Sequence, residues 1–271
     1  MADAEAFLDD TVLSRDAALL TETVREAGAL ARSMFRTELK KWTKGASSPV
    51  SEADIAVNDF LEARLRAATP SYGWLSEESA DDSERLSRSL VWVVDPIDGT
   101  RNYLGGHDEW CVSVALVGNG APVLGAVFAP TSDEFFFAVR GRGTTLNGVP
   151  VRATPGAELD FSRVAGPKPL VERLKPSLGE IKLHRRIGSL ALRLCRVADG
   201  ALDAAFAGGN SHDWDLAAAD LIVQEADGRM SDLSGDPILY NRREVAHGVL
   251  VAAGRDRHAS IVAHFRSRPL P

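Results

Sequence analysis

Apolar residues recur at three- and four-residue spacing in two stretches near the start of the chain. Leu20, Val24, Ala27, Ala31 and Met34 predict an amphipathic helix over residues 14–36, with Asp16 near its start to suit the helix dipole. Val57, Phe60, Leu61, Leu65 and Ala68 form the buried stripe of a second helix. It opens at Ser51, with Asp54 three residues on, as in a capping box. The pattern then shifts to short β-branched and aromatic runs. Trp74-Leu75, Leu90 to Val94, Trp110 to Val117, Val123 to Ala129 and Glu134 to Val139 read as strands. Turns at Gly118-Asn119-Gly120 and Pro130 to Asp133 make the last three antiparallel, and Asn147-Gly148 signals a further hairpin. Lys40 to Pro49, residues 80–89 and Arg140 to Gly143 read as polar surface segments.

The second half alternates strand and helix. Phe161 to Ala165, Ile181 to Arg185, Asp203 to Phe206 and His247 to Ala253 read as strands. Helices are expected from Gly188 to Asp199, ended by Gly200, from Asp213 to about Ala226, and over 256–266. This order predicts a layered α/β (α+β) fold. A Pro- and Gly-bearing stretch at 154–156 divides it into an N-terminal domain, 1–152, and a C-terminal domain, 153–271.

Composition narrows the function. With 271 residues and 45% hydrophobic content, the chain can bury roughly three quarters of its unfolded surface. A net charge of −7 argues against a general nucleic-acid binder but leaves anionic substrates open, since bound metal reverses the sign locally. Cys111 and Cys195 lie in apolar stretches and read as core thiols. Neither a signal-peptide pattern nor an apolar run approaching ~20 residues is present, so a cytoplasmic protein without a membrane span is expected.

The candidate chemistry centres on one turn. Pro96 cannot donate to a sheet ladder, so the Leu90–Val94 strand is expected to stop there, and Gly99 permits a tight turn. Asp95 and Asp98 then leave a core strand side by side, and like charges so close need a cation or a shared proton. Taken alone, this Asp-Pro-x-Asp-Gly string is also an ordinary turn, Glu77-Glu78 a solvated pair, and Asp54 and Asp215 simple helix caps. His212 reads as a structural or substrate-edge contact, and Asp213 as a helix-start charge.

Asp95-Pro96-Ile97-Asp98-Gly99-Thr100 is similar to the signature of the inositol monophosphatase family of magnesium-dependent phosphatases. Trp74-Leu75-Ser76-Glu77-Glu78-Ser79 and Trp214-Asp215-Leu216-Ala217-Ala218-Ala219 match two further family segments in the right order, with Ser76 where glycine is common. The resemblance runs from about Ser14 to about Ala263. It implies a layered αβαβα sandwich of the inositol monophosphatase/fructose-bisphosphatase type, a homodimer, and lithium sensitivity.

The resemblance also implies the site. Glu77, Asp95, the Ile97 carbonyl, Asp98 and Asp215 would be the metal ligands, an all-oxygen set that suits magnesium or manganese over zinc. Two or three ions are expected, two of them ~3.5–4 Å apart to clamp an in-line displacement. One, at Glu77, Asp95 and Ile97, would activate the attacking water. The other, at Asp95, Asp98 and Asp215, would stabilise the leaving oxygen. Thr100, backed by Asp54, would orient that water, so no nucleophilic side chain is required. Asp98, Gly99, Thr100, Gly188, Ser189 and Asp215 would contact substrate, Gly188 and Ser189 through amides at a helix start. Glu78 matches an accessory carboxylate, and Lys44 sits on a loop that is mobile and borders the site in the family.

The expected substrate is a small phosphate monoester, inositol 1-phosphate or a related polyol or sugar phosphate. A 3′(2′),5′-bisphosphate nucleotidase and a non-catalytic protein on the same fold are the alternatives. Animal members carry an inositol-contacting glutamate six residues before the tryptophan of the Trp-Asp pair, and Gly208 stands there in this chain.

Overall fold

A computed structural model of the chain describes residues 9–44, 48–158, 163–174 and 182–268. Helix α1 (Asp10–Met34) starts at an Asp9 cap and buries Leu20, Val24, Ala27 and Ala31, the stripe its periodicity predicts. Because α1 begins at Asp10, Asp16 lies past the first turn and does not serve the dipole there. It is buried, and accepts from the Tyr72 hydroxyl at 2.6 Å and Arg15 Nε at 2.8 Å. The polar segment after α1 forms an antiparallel hairpin, β1 (Lys41–Lys44) with β2 (Ser48–Ser51); residues 45–47 of the expected loop lie outside the described residues. Ser51 and Asp54 then make the predicted capping box at the start of α2 (Glu52–Ala68).

Seven strands follow in sequence order across one sheet: β3 (Gly73–Ser76), β4 (Leu90–Asp98), β5 (Cys111–Gly118), β6 (Ala121–Ala129), β7 (Glu134–Val139), β8 (Thr144–Leu146) and β9 (Val149–Pro150). The β3–β4 pair is parallel and the other pairs antiparallel. Strand β4 does not end at Pro96. It shifts register after Asp95 and pairs again at Asp98, opposite Cys111. A bulge is where a strand tolerates a residue without an N–H.

A second sheet has the order β11-β10-β12-β16-β14, built from β10 (Arg163–Ala165), β11 (Lys182–Leu183), β12 (Ala204–Ala207), β14 (Gly228–Asp232) and β16 (Leu250–Gly254). The expected strand starts at Phe161 and Ile181 lie outside the described residues. The strand expected from His247 is divided: β15 (Ala246–His247) pairs with β13 (Ser211–His212), and β16 begins at Leu250. Short helices α3 (Thr100–Leu104) and α4 (Lys168–Glu172) join α5 (Leu190–Ala198), α6 (Asp213–Glu225) and α7 (Arg255–Ser267).

Period-two alternation in the strands assembles these parts into layers. Trp92 and Val94 of β4, with Val112 and Val114 of β5, pack under α1 and α2. Val91 and Val93, with Cys111 and Ala115, face the other way, against Leu194 and Cys195 of α5 and Leu216 and Leu221 of α6. That same cluster includes Ala205 and Ala252 of the second sheet. The far face of the second sheet, Val164, Phe206 and Val251, is covered by Leu170 of α4 and Ile261 and Phe265 of α7. The order is helix, sheet, helix, sheet, helix, the expected αβαβα sandwich. Strands apolar on both faces read as continuous runs for this reason.

Helix α6 lies close on the first sheet because small residues allow it. A Cβ at Gly125 of β6 would sit 2.8 Å from the Ala218 carbonyl oxygen, a backbone atom that cannot turn aside. Gly125→Ala is expected to destabilise the fold by about 1–3 kcal/mol, the usual cost of overpacking. A lower denaturant midpoint at unchanged slope would show it, and an unchanged midpoint would contradict the close approach.

Candidate active site

The bulged carboxyl end of the internal strand β4 carries Asp95, Ile97 and Asp98. Gly99 follows at φ 99°, and α3 begins at Thr100. A Cβ at Gly99 would come within 3.1 Å of the Glu109 carbonyl oxygen and 3.3 Å of the Ser189 amide nitrogen, so both space and dihedral favour glycine. Asp215, in the first turn of α6, approaches from the middle layer. Carboxylate oxygens of Asp95, Asp98 and Asp215 lie within 4.8 Å of one another. Glu77, just past β3, lines the same cleft of about 270 Å³, together with Ile97, Gly99, Thr100 and Gly188.

Asp95 and Asp98 are held by neutral donors, whereas Asp215 also lies 3.8 Å from His212 Nδ1 and raises the pKa of that ring. Asp95 Oδ1 accepts from the Ile97 amide at 3.0 Å. Asp98 Oδ2 accepts from Ser189 Oγ and the Ala191 amide, both at 2.6 Å. Asp215 Oδ2 accepts from the His212 amide at 2.6 Å, while the His212 ring stacks on Trp214 at 4.7 Å. Burial first, then Asp215 and Glu78, pushes the Glu77 carboxyl up to about 8. Burial and Asp215 push Asp98 up to about 6. Asp95 is raised well above the usual range by burial and by Glu77 and Asp98. Carboxylates crowded this closely either hold protons or bind a cation.

The donors fit a hard divalent cation. All are oxygens, and neither cysteine nor histidine belongs to the cluster of Asp95, Asp98 and Asp215. Lys44 does not neutralise that cluster. Its ammonium donates to the Glu77 carbonyl at 2.5 Å and pairs with Glu78 at 2.8 Å, which ties the β1–β2 hairpin to the segment carrying Glu77. Glu78 thus stands beside the cleft with its own cation.

Asp54 and Thr100 form a second unit. Asp54 Oδ2 accepts from the Ser51 amide at 2.8 Å and the Ser51 hydroxyl at 2.6 Å. Its Oδ1 lies 3.1 Å from Thr100 Oγ1, which is also 3.1 Å from the Ile97 carbonyl oxygen. The helix cap and the Thr100 contact use opposite oxygens of one carboxylate, so Asp54 makes both at once.

Two residues make contacts that the sequence did not show. Ser189 is fully buried, and its hydroxyl holds Asp98 from behind, so the start of α5 supports a cleft acid and only Gly188 reaches the cleft. Asp213 is the expected charge in the first turn of α6. It is fully buried, with Oδ1 2.7 Å from His247 Nε2 and Oδ2 accepting from the Asn241 amide at 2.7 Å. Sequence reasoning missed Arg101, Asn102 and Arg186, which also line the cleft. Arg186 lies on an irregular segment with no periodicity or motif to mark it. Asn102 shows itself only through Gly188, where a Cβ would meet its amide at 2.0 Å.

Comparison with known proteins agrees with this geometry. Residues 13–270 match the model of the inositol monophosphatase family. The chain is 33% identical over 254 residues to inositol monophosphatase 3 of Solanum lycopersicum, covering 89% of this chain and 91% of that protein. Among solved structures it is similar to the extragenic suppressor protein suhB of Bartonella henselae, with TM-score 0.82, 26% identity, and coverage of 94% and 100% of the two chains. It is also similar to an inositol monophosphatase from Anabaena, with TM-score 0.77, 26% identity, and coverage of 95% and 97%.

Proposed function

Because the chain belongs to the inositol monophosphatase family and is a phosphatase, we propose that it hydrolyses inositol 1-phosphate or a related polyol or sugar phosphate with magnesium. The observation that carries this reading is the convergence of three carboxylates beside the Thr100–Asp54 pair. Glu77, Asp95 and the Ile97 carbonyl would hold one ion, and Asp95, Asp98 and Asp215 another. Bound there, the ions would supply charge neutralisation, a more acidic attacking water and a stabilised leaving oxygen.

The chain's own residues set the geometry of attack. The two Ser51 donors fix Asp54 as an acceptor, so Thr100 can give its single proton to Asp54 Oδ1. The lone pairs of Thr100 Oγ1 are then free to accept from a water in the cleft. Positioning of this kind supplies much of the effect in phosphoryl transfer. A homodimer and lithium inhibition belong to the same reading.

The alcohol should be loosely specified. Gly208, just past β12, presents no side chain, and the neighbouring Asn210 and Ser211 are uncharged. A pocket that lacks a charged hydrogen-bonding group loses a strong discriminator. With one magnesium condition, kcat/KM should stay within about a hundredfold across inositol 1-phosphate, glycerol phosphate and sugar phosphates. A larger preference for inositol 1-phosphate would mean that another residue does the work of the missing glutamate.

A further inference from the structure

Glu77 and Asp215 both line the cleft, but they reach it from segments far apart in the chain. Glu77 follows β3, and its amide donates to the Val94 carbonyl at 3.2 Å, so it continues the β3–β4 ladder by one step. Asp215 lies in the first turn of α6.

Asn241 stands between these two segments. On one side it meets Arg85, on the 3-10 turn Ser83–Ser87 that follows the Glu77 segment. Arg85 Nη1 donates to Asn241 Oδ1 at 2.7 Å and to the Arg242 carbonyl at 3.0 Å, and Asn241 Nδ2 donates to the Arg85 carbonyl at 3.4 Å. On the other side the Asn241 amide donates to Asp213 Oδ2 at 2.7 Å. Asp213 shares the first turn of α6 with Asp215. The side chain of Asn241 thus grips one segment while its main chain grips the other.

Both anchors are stiff. Arg85 is buried, and its Nε and Nη2 fork onto Asp81 at 2.6 and 2.9 Å. A Cβ at Gly73 of β3 would lie 3.1 Å from the Arg85 Cα, so Arg85 packs directly on the strand that leads to Glu77. Asp213 is fully buried, its amide donates to the Val245 carbonyl at 3.0 Å, and its Oδ1 is held by His247. Asn241 itself takes φ 53°, a left-handed backbone that asparagine adopts more readily than most side chains.

We infer that Asn241 is a positioning residue that sets the spacing of Glu77 and Asp215, and through it the affinity of the cleft for divalent cations. This rests on the metal-dependent phosphatase reading above. Asn241 does not line the cleft, so it acts through Arg85 and Asp213 alone. Carboxylates fixed at their working distance before an ion arrives lose less on binding it than carboxylates that must first be drawn together.

The test compares Asn241→Gly and Asn241→Asp with the unaltered chain. Glycine keeps the left-handed backbone and the amide bond to Asp213 but loses the grip on Arg85, whose Nη1 still has the Arg242 carbonyl. Aspartate can still accept from Arg85. Magnesium binding is measured by calorimetry without substrate, beside the half-activating magnesium concentration for hydrolysis of inositol 1-phosphate and the melting temperature in chelator. In Asn241→Gly the magnesium dissociation constant and the half-activating concentration should both rise roughly tenfold or more, the scale on which outer partners of metal ligands act. Asn241→Asp should keep most of the affinity. Where Asn241→Gly does not fold, Arg85→Lys reads the same joint from its other side, because an ammonium cannot fork onto Asp81 and reach Asn241 at once. Unchanged magnesium affinity overturns the inference and leaves the phosphatase reading standing, whether or not the melting temperature falls. Equal weakening in Asn241→Gly and Asn241→Asp overturns it too, since the contact with Arg85 would then not be what matters. An unaltered chain that neither binds magnesium nor hydrolyses the ester overturns the metal-dependent reading and this inference together.

Discussion

Asp98→Asn lowers turnover by at least about a thousandfold while the protein stays folded. On the proposed reading of Asp98 as a metal ligand, the loss follows from removing a charge that would stabilise several kcal/mol of transition-state charge, where each 1.36 kcal/mol is about tenfold in rate. The fold survives because the amide can keep the contacts that matter. Its oxygen can replace Oδ2 as acceptor from Ser189 Oγ and the Ala191 amide, and its NH₂ then faces Asp95 and Asp215 as a donor. Since Asp98 is pushed up to about 6 mainly by burial and Asp215, neutralising it relieves repulsion. Melting without divalent cation should therefore be unchanged or higher. Steady-state kinetics and a thermal melt on one preparation decide the matter, and near-native rates would remove Asp98 from the ligand set.

Without divalent cations, the protein should lose stability as the solution becomes more alkaline. Glu77 has an ordinary value of 4.5 and is pushed up to about 8 in the fold by burial, Asp215 and Glu78. Asp98 goes from 3.8 to about 6. Between those limits the folded chain holds protons that the unfolded chain has released, so stability is fully present below the unfolded value and falls as pH rises through the folded one. The window is about pH 4 to 8. At lower pH the trend reverses, because a hydrogen bond from Arg85 holds Asp81 below the usual range and Arg196 does the same for Glu134. Magnesium should recover the alkaline loss. A cation at a hundred times its dissociation constant contributes about 2.7 kcal/mol, or about 5–10 °C for a chain of this size. Melts at pH 5.5 and 8, with chelator and with magnesium, give the four numbers needed. Equal magnesium shifts at both values would mean that these carboxyls are not the groups that bind it.

What was legible in the sequence was what a short stretch decides for itself. The stripes of α1 and α2 recur within one helix, and Ser51 with Asp54 is a cap complete in four residues. The turn at Asp95 to Thr100 likewise holds its proline, glycine and acids together. The αβαβα order and the meeting of Asp215 with Asp95 and Asp98, by contrast, came through resemblance, since nothing near Trp214 says which acids it will meet. The misses share one cause. Arg85 lies in a segment that reads as polar surface, yet it is buried, with Asp81 on one side and the side chain of Asn241 and backbone of Arg242 on the other. Asp16, Asp213 and Ser189 are likewise polar groups whose burial is settled by partners far away in sequence. Polarity predicts exposure only until a distant partner supplies the hydrogen bonds that make burial affordable.

The middle layer also governs the order in which the chain can mature. The inner face of the first sheet, Val91, Val93, Cys111 and Ala115, is covered by α5 and α6, which lie far later in the chain. During synthesis that face is complete well before its cover leaves the ribosome, and it must wait as exposed apolar surface. Asp215 arrives on the same late helix that completes the cover. The last acid thus joins Asp95 and Asp98 only when the interior closes, so the nascent chain carries no complete acidic cluster while its core is still open.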